Sequence, residues 1–393
     1  MSISNAAATS GGSGTRTALV SGASFAGLAM AFWLRHLGYA VTVVEVAQGL
    51  RGGGTPVDIS GESLSFLTRM GLLDAIRAKA LPPRRHEFLR IDGSIVVAPE
   101  PDGGDDAQDY EVHRSDLLKL LADALDGPVD ILFERSITNL KEDADAVLVT
   151  FSDGTSQRYT LVFGCDGNRS NTRKLVFGDD ARFNHFMGAY ICSKVLNETI
   201  LVEPHKTEVV SMAGRMMMLN GYVGQTDIVF NFRTAGEIAY DHRDKPAQRR
   251  LIHEDFDGLP WKVQDMLAKI DEDDDFYFDR MTQIRMPTWS RGRVALVGDA
   301  GYCVSPLAGF GGSIAIIGAG HLGDALARHP NDHEAAFRDY ERGLRPFVEE
   351  VQKHAATAGV QMLIPASDAE LAERDQQMVA GQLGPFEAPA AQG

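Results

Sequence analysis

The chain has 393 residues, is 44% hydrophobic, and carries 38 Lys and Arg against 54 Asp and Glu, a formal charge of -16. That length and apolar content can bury the cores of two or more domains, and the charge argues against nucleic acid and anionic membrane as partners. Its three cysteines, Cys165, Cys192 and Cys303, form no CxxC pair, so neither a zinc site nor a disulfide framework is expected, and a reduced, cytoplasmic setting fits.

In chain order, Met1 to Thr15 is small and polar, includes Gly11-Gly12-Ser13-Gly14, and is expected to be a disordered lead-in without the basic region of a signal peptide. The apolar stretch Ala18 to Leu34 is broken by Ser21, Gly22, Ser24 and Gly27, which predicts strand, turn and helix rather than a membrane span. Thr17 to Val20 is that strand, Leu28 to Leu37 the helix, Gly38 its stop, and Tyr39 to Glu45 a second strand. Such a βαβ opening implies a parallel sheet covered by helices. Glu62 to Leu73 and Arg114 to Leu125 read as helices. Leu81 to Asp109 reads as a proline- and acid-rich excursion, and Val147 to Phe151 with Gln157 to Val162 as a hairpin about Asp153-Gly154. From Ala181 to Arg285 the pattern changes. Thr207 to Met212, Met216 to Val223 and Asp227 to Arg233 predict an antiparallel sheet, with helices over Ala247 to Leu259 and Lys262 to Ile270. Arg293 to Val297 returns as a buried strand, Ser313 to Leu326 and Asp332 to Ala358 are helical, and the end, rich in Ala, Pro, Gly and Gln, reads as a frayed tail.

Gly22-Ala23-Ser24-Phe25-Ala26-Gly27 has the spacing of a dinucleotide turn, with Ser24 in place of the middle glycine. The turn brings backbone and a helix N-terminus against a pyrophosphate. Glu45, with Val46 beside it, ends the second strand where a carboxylate can accept hydrogen bonds from a ribose. This motif alone does not separate FAD from NAD. Farther along stand Gly164-Cys165-Asp166-Gly167, continuing to Arg173, and Gly298-Asp299-Ala300 at the end of a strand. A strand-end carboxylate such as Asp299 can accept from a polyol hydroxyl. Ser305-Pro306-Leu307-Ala308-Gly309-Phe310-Gly311-Gly312 then opens a helix, where backbone N–H groups can stabilise negative charge.

These motifs, in this order, resemble the class A flavin-dependent aromatic hydroxylases related to para-hydroxybenzoate hydroxylase, and most of all their compact tetracycline-modifying branch, over residues 16 to 360. The resemblance implies an α/β fold. A Rossmann-like FAD-binding domain (16–83, 106–180 and 286–330) carries an inserted substrate domain (84–105 and 181–285) on a mostly antiparallel sheet. A C-terminal helical segment (331–365) and a tail (366–393) follow the lead-in and these domains. It also implies that Gly22, Ser24, Phe25, Ala26, Gly27, Glu45, Asp166, Gly167, Gly298 and Asp299 hold FAD, with Arg51 toward the adenosine half. Gly53, Gly54 and Thr55 would form a loop against the flavin, Arg114 would stand beside it, and Pro306, Gly309, Gly311 and Gly312 would lie at the ring. Relatives commonly have Gly-Gln-Gly and then Asn where this chain has Gly309-Phe310-Gly311-Gly312-Ser313.

By the same resemblance NADPH or NADH reduces the flavin without a domain of its own, and one oxygen atom of O2 passes to an electron-rich ring. Met216, Met218, Tyr222, Phe230, Phe232, Tyr302 and Phe310 are the candidate substrate contacts. A bulky aromatic or polyketide-like molecule is the expected partner of a monomer or homodimer. His113, His185, His242 and His321 lack metal-ligand spacing, and no residue is singled out as catalytic. Three other readings stay open: a plain NAD-dependent dehydrogenase, a non-catalytic binding protein, and a non-redox enzyme such as a cyclase in which FAD only shapes the pocket. Ser24 and Phe310 are the departures that keep the last open.

Overall fold

A computed structural model describes residues 15–99, 109–125, 127 and 129–382. The lead-in before Thr15, part of the excursion near residue 105 and the tail beyond 382 lie outside the described residues.

The first sheet has six strands in the order Ser290–Arg291, Val294–Leu296, Leu161–Gly164, Thr17–Ser21, Ala40–Val44 and Asp130–Leu132. Five run parallel, and only the Ser290–Arg291 edge is antiparallel. A parallel sheet must be covered on its faces. Here Phe25–His36 and Gly311–Arg328 pack together over it. The second helix comes very close to its neighbours because it is rich in glycine. A Cβ on Gly323 would stand 2.8 Å from the Trp33 side chain, one on Gly318 1.9 Å from the Tyr302 hydroxyl, and one on Gly320 2.2 Å from the Phe66 ring.

The second sheet has seven strands: Tyr277–Ile284, Asn184–Leu196, Gln225–Arg233, Arg215–Tyr222, Lys206–Met212, Arg85–Leu89 and Ile95–Val97. All its pairings are antiparallel except Lys206–Met212 with Arg85–Leu89. The architecture is therefore the expected α/β FAD-binding fold with a mostly antiparallel second sheet. One face of that sheet is covered by Lys245–Phe256 and Val263–Asp271, forming a separate core around Tyr190, Phe230, Phe232 and Phe256. The other face looks toward the first domain.

Several local expectations are corrected. Helix 62–73 is two helices, Glu62–Arg69 and Leu73–Arg77, because Gly71 takes φ +74° between them. The hairpin's second arm ends at Tyr159; Thr160 bonds to Thr17, and Leu161–Gly164 joins the parallel sheet instead. The tail from 366 is not frayed over its first part. Asp368–Val379 is a helix capped by Ser367, and Arg374 is buried, donating to Ser211 Oγ at 2.8 Å and to the Met362 carbonyl at 3.1 Å.

Gly320→Ala should lower stability by about 1–3 kcal/mol, the usual cost of forcing a methyl into a packed core. Thermal unfolding checks this, and an unchanged midpoint would mean that Phe66 yields freely.

Candidate active site

A cavity of about 500 Å³ lies between the two sheets. Its floor comes from the first domain and is built by three turns. In the first, Ser24 caps the Phe25–His36 helix, accepting from Gly27 N–H at 3.3 Å and donating to the Cys165 carbonyl at 2.9 Å. Gly22 takes φ +105°, and a Cβ there would meet the Cys165 carbonyl oxygen at 2.5 Å. In the second, Asp166 is consumed by its own loop: it accepts from Ser170 Oγ, from Thr172 N–H at 2.9 Å and from Thr172 Oγ1 at 2.8 Å. In the third, Gly309 is left-handed and the Gly311–Arg328 helix starts with no side-chain cap. Neither of the two helices has an acidic residue in its first turn, so two partial positive charges face one cavity. Gly53, Gly309 and Gly311 border open space where a Cβ would meet nothing within 4 Å.

Among the expected cofactor residues, Ser24, Phe25, Ala26, Thr55, Arg114, Gly167, Asp299, Pro306, Gly309, Gly311 and Gly312 line this cavity. Gly22, Gly27, Asp166 and Gly298 lie behind it, shaping the turns. Glu45 accepts from Ala23 N–H at 3.0 Å, Ala47 N–H at 2.9 Å and Arg51 at 2.9 Å, so its carboxylate ties the first turn to the second strand. Val46, Arg51, Gly53 and Gly54 stand outside the lining, with Val46 and Arg51 well exposed. Arg114 lies 4.5 Å over the Phe25 ring. Burial pushes its guanidinium down, against the pull of Asp299; burial also pushes Asp299 up, with Arg114 opposing.

The roof is the open face of the seven-stranded sheet, where Met216, Met218 and Tyr222 point inward, as does Phe310 from the floor. Phe230 and Phe232 do not: they belong to the opposite face, packed on Phe256. Strand register explains this, since Met216 pairs with Asn231 and Met218 with Val229, so even residues of one strand share a face with odd residues of the next. Tyr302 is corrected too. Its hydroxyl meets Tyr340 at 2.8 Å and its ring packs on Trp289, beside a separate cleft of about 480 Å³.

The sequence reading missed the polar part of the roof. Arg84 pairs with Glu111, donates to Thr207 Oγ1 at 2.9 Å and lies 4.6 Å over the Tyr222 ring. Thr207 donates to Asn220 at 2.9 Å. Asp58 is pushed up to about 7, by burial first, then by Glu111, with Arg84 opposing and Asp109 adding to the rise. Asp227 is pushed up to about 6 by burial, with the hydrogen bond from Gln225 opposing.

These features fit an extended cofactor with a diphosphate and a flat ring. The family profile described as FAD binding domain matches residues 15–355. The chain belongs to this FAD-binding family. It is 38% identical over 344 residues to an uncharacterized protein of Mycobacterium tuberculosis, covering 86% of this chain and 92% of that one. It is 31% identical over 351 residues to a flavin-dependent monooxygenase of Legionella longbeachae, covering 88% and 89%. Among solved structures, tetracycline destructase Tet(51) superposes with a TM-score of 0.81 at 30% identity, over 95% of this chain and 99% of that one. The cofactor is FAD and the protein is an FAD-dependent oxidoreductase of the monooxygenase kind, which sets aside the NAD-dependent dehydrogenase. Among the described residues no group of His, Cys, Asp and Glu could hold a metal ion, and no helix is long and apolar enough to cross a membrane.

Two outcomes follow. Asp299→Ala should weaken FAD about 10- to 100-fold, the loss of one hydrogen bond to a charged acceptor; fluorescence titration of refolded apoprotein measures it, and unaltered affinity would remove Asp299 from the site. Asp227 holds its proton more tightly folded, near 6 against an ordinary 3.8, so stability is lost as pH rises through that interval. Asp227→Asn removes the effect. The variant's unfolding midpoint relative to wild type should climb by a few degrees from acid to neutral pH and then level off, whereas a difference independent of pH would clear Asp227.

Proposed function

We propose that the enzyme uses NADPH or NADH and O2 to hydroxylate a multi-ring aromatic or polyketide-like small molecule. One observation carries this reading: the glycine-rich turn Pro306–Gly312 and the methionine-bearing sheet face border the same cavity, so a flat substrate on the roof would lie against the flavin ring. Bound FAD supplies the electron transfer and the activation of oxygen. The chain's own parts position and shield. N–H groups at the start of the Gly311–Arg328 helix offset negative charge at the ring. Phe310, itself 4% exposed and packed on Phe347 at 5.7 Å, helps exclude water with Leu363. Met216 and Met218 give an adaptable apolar surface. The similarity to a tetracycline destructase favours a fused-ring substrate. The three free cysteines, all buried, suit the reducing cytoplasm, and the reading takes the enzyme as a monomer or homodimer.

Anaerobic mixing tests it. With NADPH or NADH and a panel of fused-ring phenols and enols, the oxidised flavin band should bleach, and air should then yield a product with one added oxygen. Conversion of a substrate with the flavin still oxidised and no nicotinamide present would instead establish the non-redox, cyclase-like enzyme.

A further inference from the structure

Along the centre of the roof most inward side chains are hydrocarbon or thioether, Ile191, Val229, Met216 and Met218, with Ser193 beside Val229. Asn231 interrupts them. It is 2% exposed, its Oδ1 has no hydrogen-bond partner, and its Nδ2 has only the Met216 sulfur at 4.0 Å. The polar groups nearer the rim differ, since Thr207 and Asn220 satisfy one another and Arg84 is held by Glu111. A buried amide left unpaired lowers stability, and leucine would fill the same place without that cost. A partner entering the cavity would give the Asn231 amide the hydrogen bonds it lacks here.

The chemistry of that partner follows from the side chain. A carboxamide offers one acceptor and two donors in a plane and no charge. It is matched by an edge that also places a donor beside an acceptor. A lone carbonyl or a carboxylate, which only accept, satisfies only half of it. Building on the reading of this cavity as the substrate site, we propose that Asn231 is the specificity residue, and that it selects ring systems carrying a neutral donor–acceptor edge, such as a lactam or an enolised dicarbonyl. Such an edge would seat against the middle of the roof and turn the opposite side of the ring system toward Pro306–Gly312.

The test uses a near-isosteric pair, 2-quinolone, a lactam with N–H beside C=O, and coumarin, the lactone with acceptors only. Each is titrated into the FAD-loaded enzyme and followed by perturbation of the flavin absorbance, without turnover. Wild type should bind 2-quinolone about tenfold or more tightly than coumarin, because the lactone leaves an amide atom buried and unpaired. Asn231→Leu should bring the ratio near one while retaining FAD, and Asn231→Val replaces it should the leucine variant lose the cofactor. Equal affinities in wild type, binding of neither probe, or a ratio that survives both substitutions would overturn the assignment. Because binding is read without oxygenation, a failure of the monooxygenase reading leaves this ratio intact, and a failure of the ratio leaves oxygenation intact.

Discussion

Two helix N-termini meeting at one cavity is the constraint on which the rest of this molecule depends. Each carries about half a positive charge, and neither is offset by an acidic residue in its first turn. Bringing like ends together is unfavourable by itself, so packing has to impose it. Gly323 admits Trp33, and Gly298 takes φ +67° where a Cβ would stand 3.1 Å from that of Ala26. Arg114 then adds a full charge, with Asp299 as its counterweight. A floor so positive in its backbone is matched to a diphosphate and to the negative charge of a reduced flavin ring, the groups that FAD brings.

How much of this could be read beforehand depended on how local each requirement was. Gly22, Asp166 and Gly298 serve turns whose geometry is set within a few residues, so the motifs that carry the resemblance to flavin-dependent hydroxylases were legible in the sequence, although the first turn alone did not separate FAD from NAD. The C-terminal helix was equally local but was hidden by composition. Ser367 and Glu370 carry the Ser-x-x-Glu signature of a helix start: Ser367 Oγ accepts from Glu370 N–H at 3.2 Å, and Glu370 accepts from Ala366 N–H, one residue before the cap, at 2.8 Å. That signal sits in the sequence just ahead of the Ala-, Pro- and Gln-rich end that suggested fraying.

The roof was harder because a face is a relation between strands. Phe230 and Phe232 alternate correctly, yet alternation cannot say which side of the sheet is the cavity. The missing information was in the turn. Tyr222 pairs with Gln225 across Val223 and Gly224, with Gly224 at φ +76°. A two-residue turn reverses parity, so Met216 and Met218 inward implies Val229 and Asn231 inward and the phenylalanines outward. Nothing of this kind announces Arg84 or Asp58: Arg84 precedes Arg85–Leu89, which pairs with Lys206–Met212 in the roof, and Asp58 sits opposite Glu111 where Val57–Ile59 pairs with Tyr110–Val112.

The rim also sets what the cavity refuses. Glu111, Asp58 and Asp227 crowd the environment of Arg84, and burial raises the two aspartates toward neutrality. Arg84 is already spent on Glu111 and Thr207. A substrate bringing its own carboxylate would therefore find no free guanidinium at this rim and would stand close to Glu111 and two aspartates. The centre of the roof offers such a substrate methionine, valine and isoleucine side chains and the neutral Ser193 and Asn231. On the proposed reading, discrimination would come from leaving one kind of polar group unanswered and from denying charge its partner, so that uncharged, hydrogen-bonding ring systems would be preferred to simple aromatic acids.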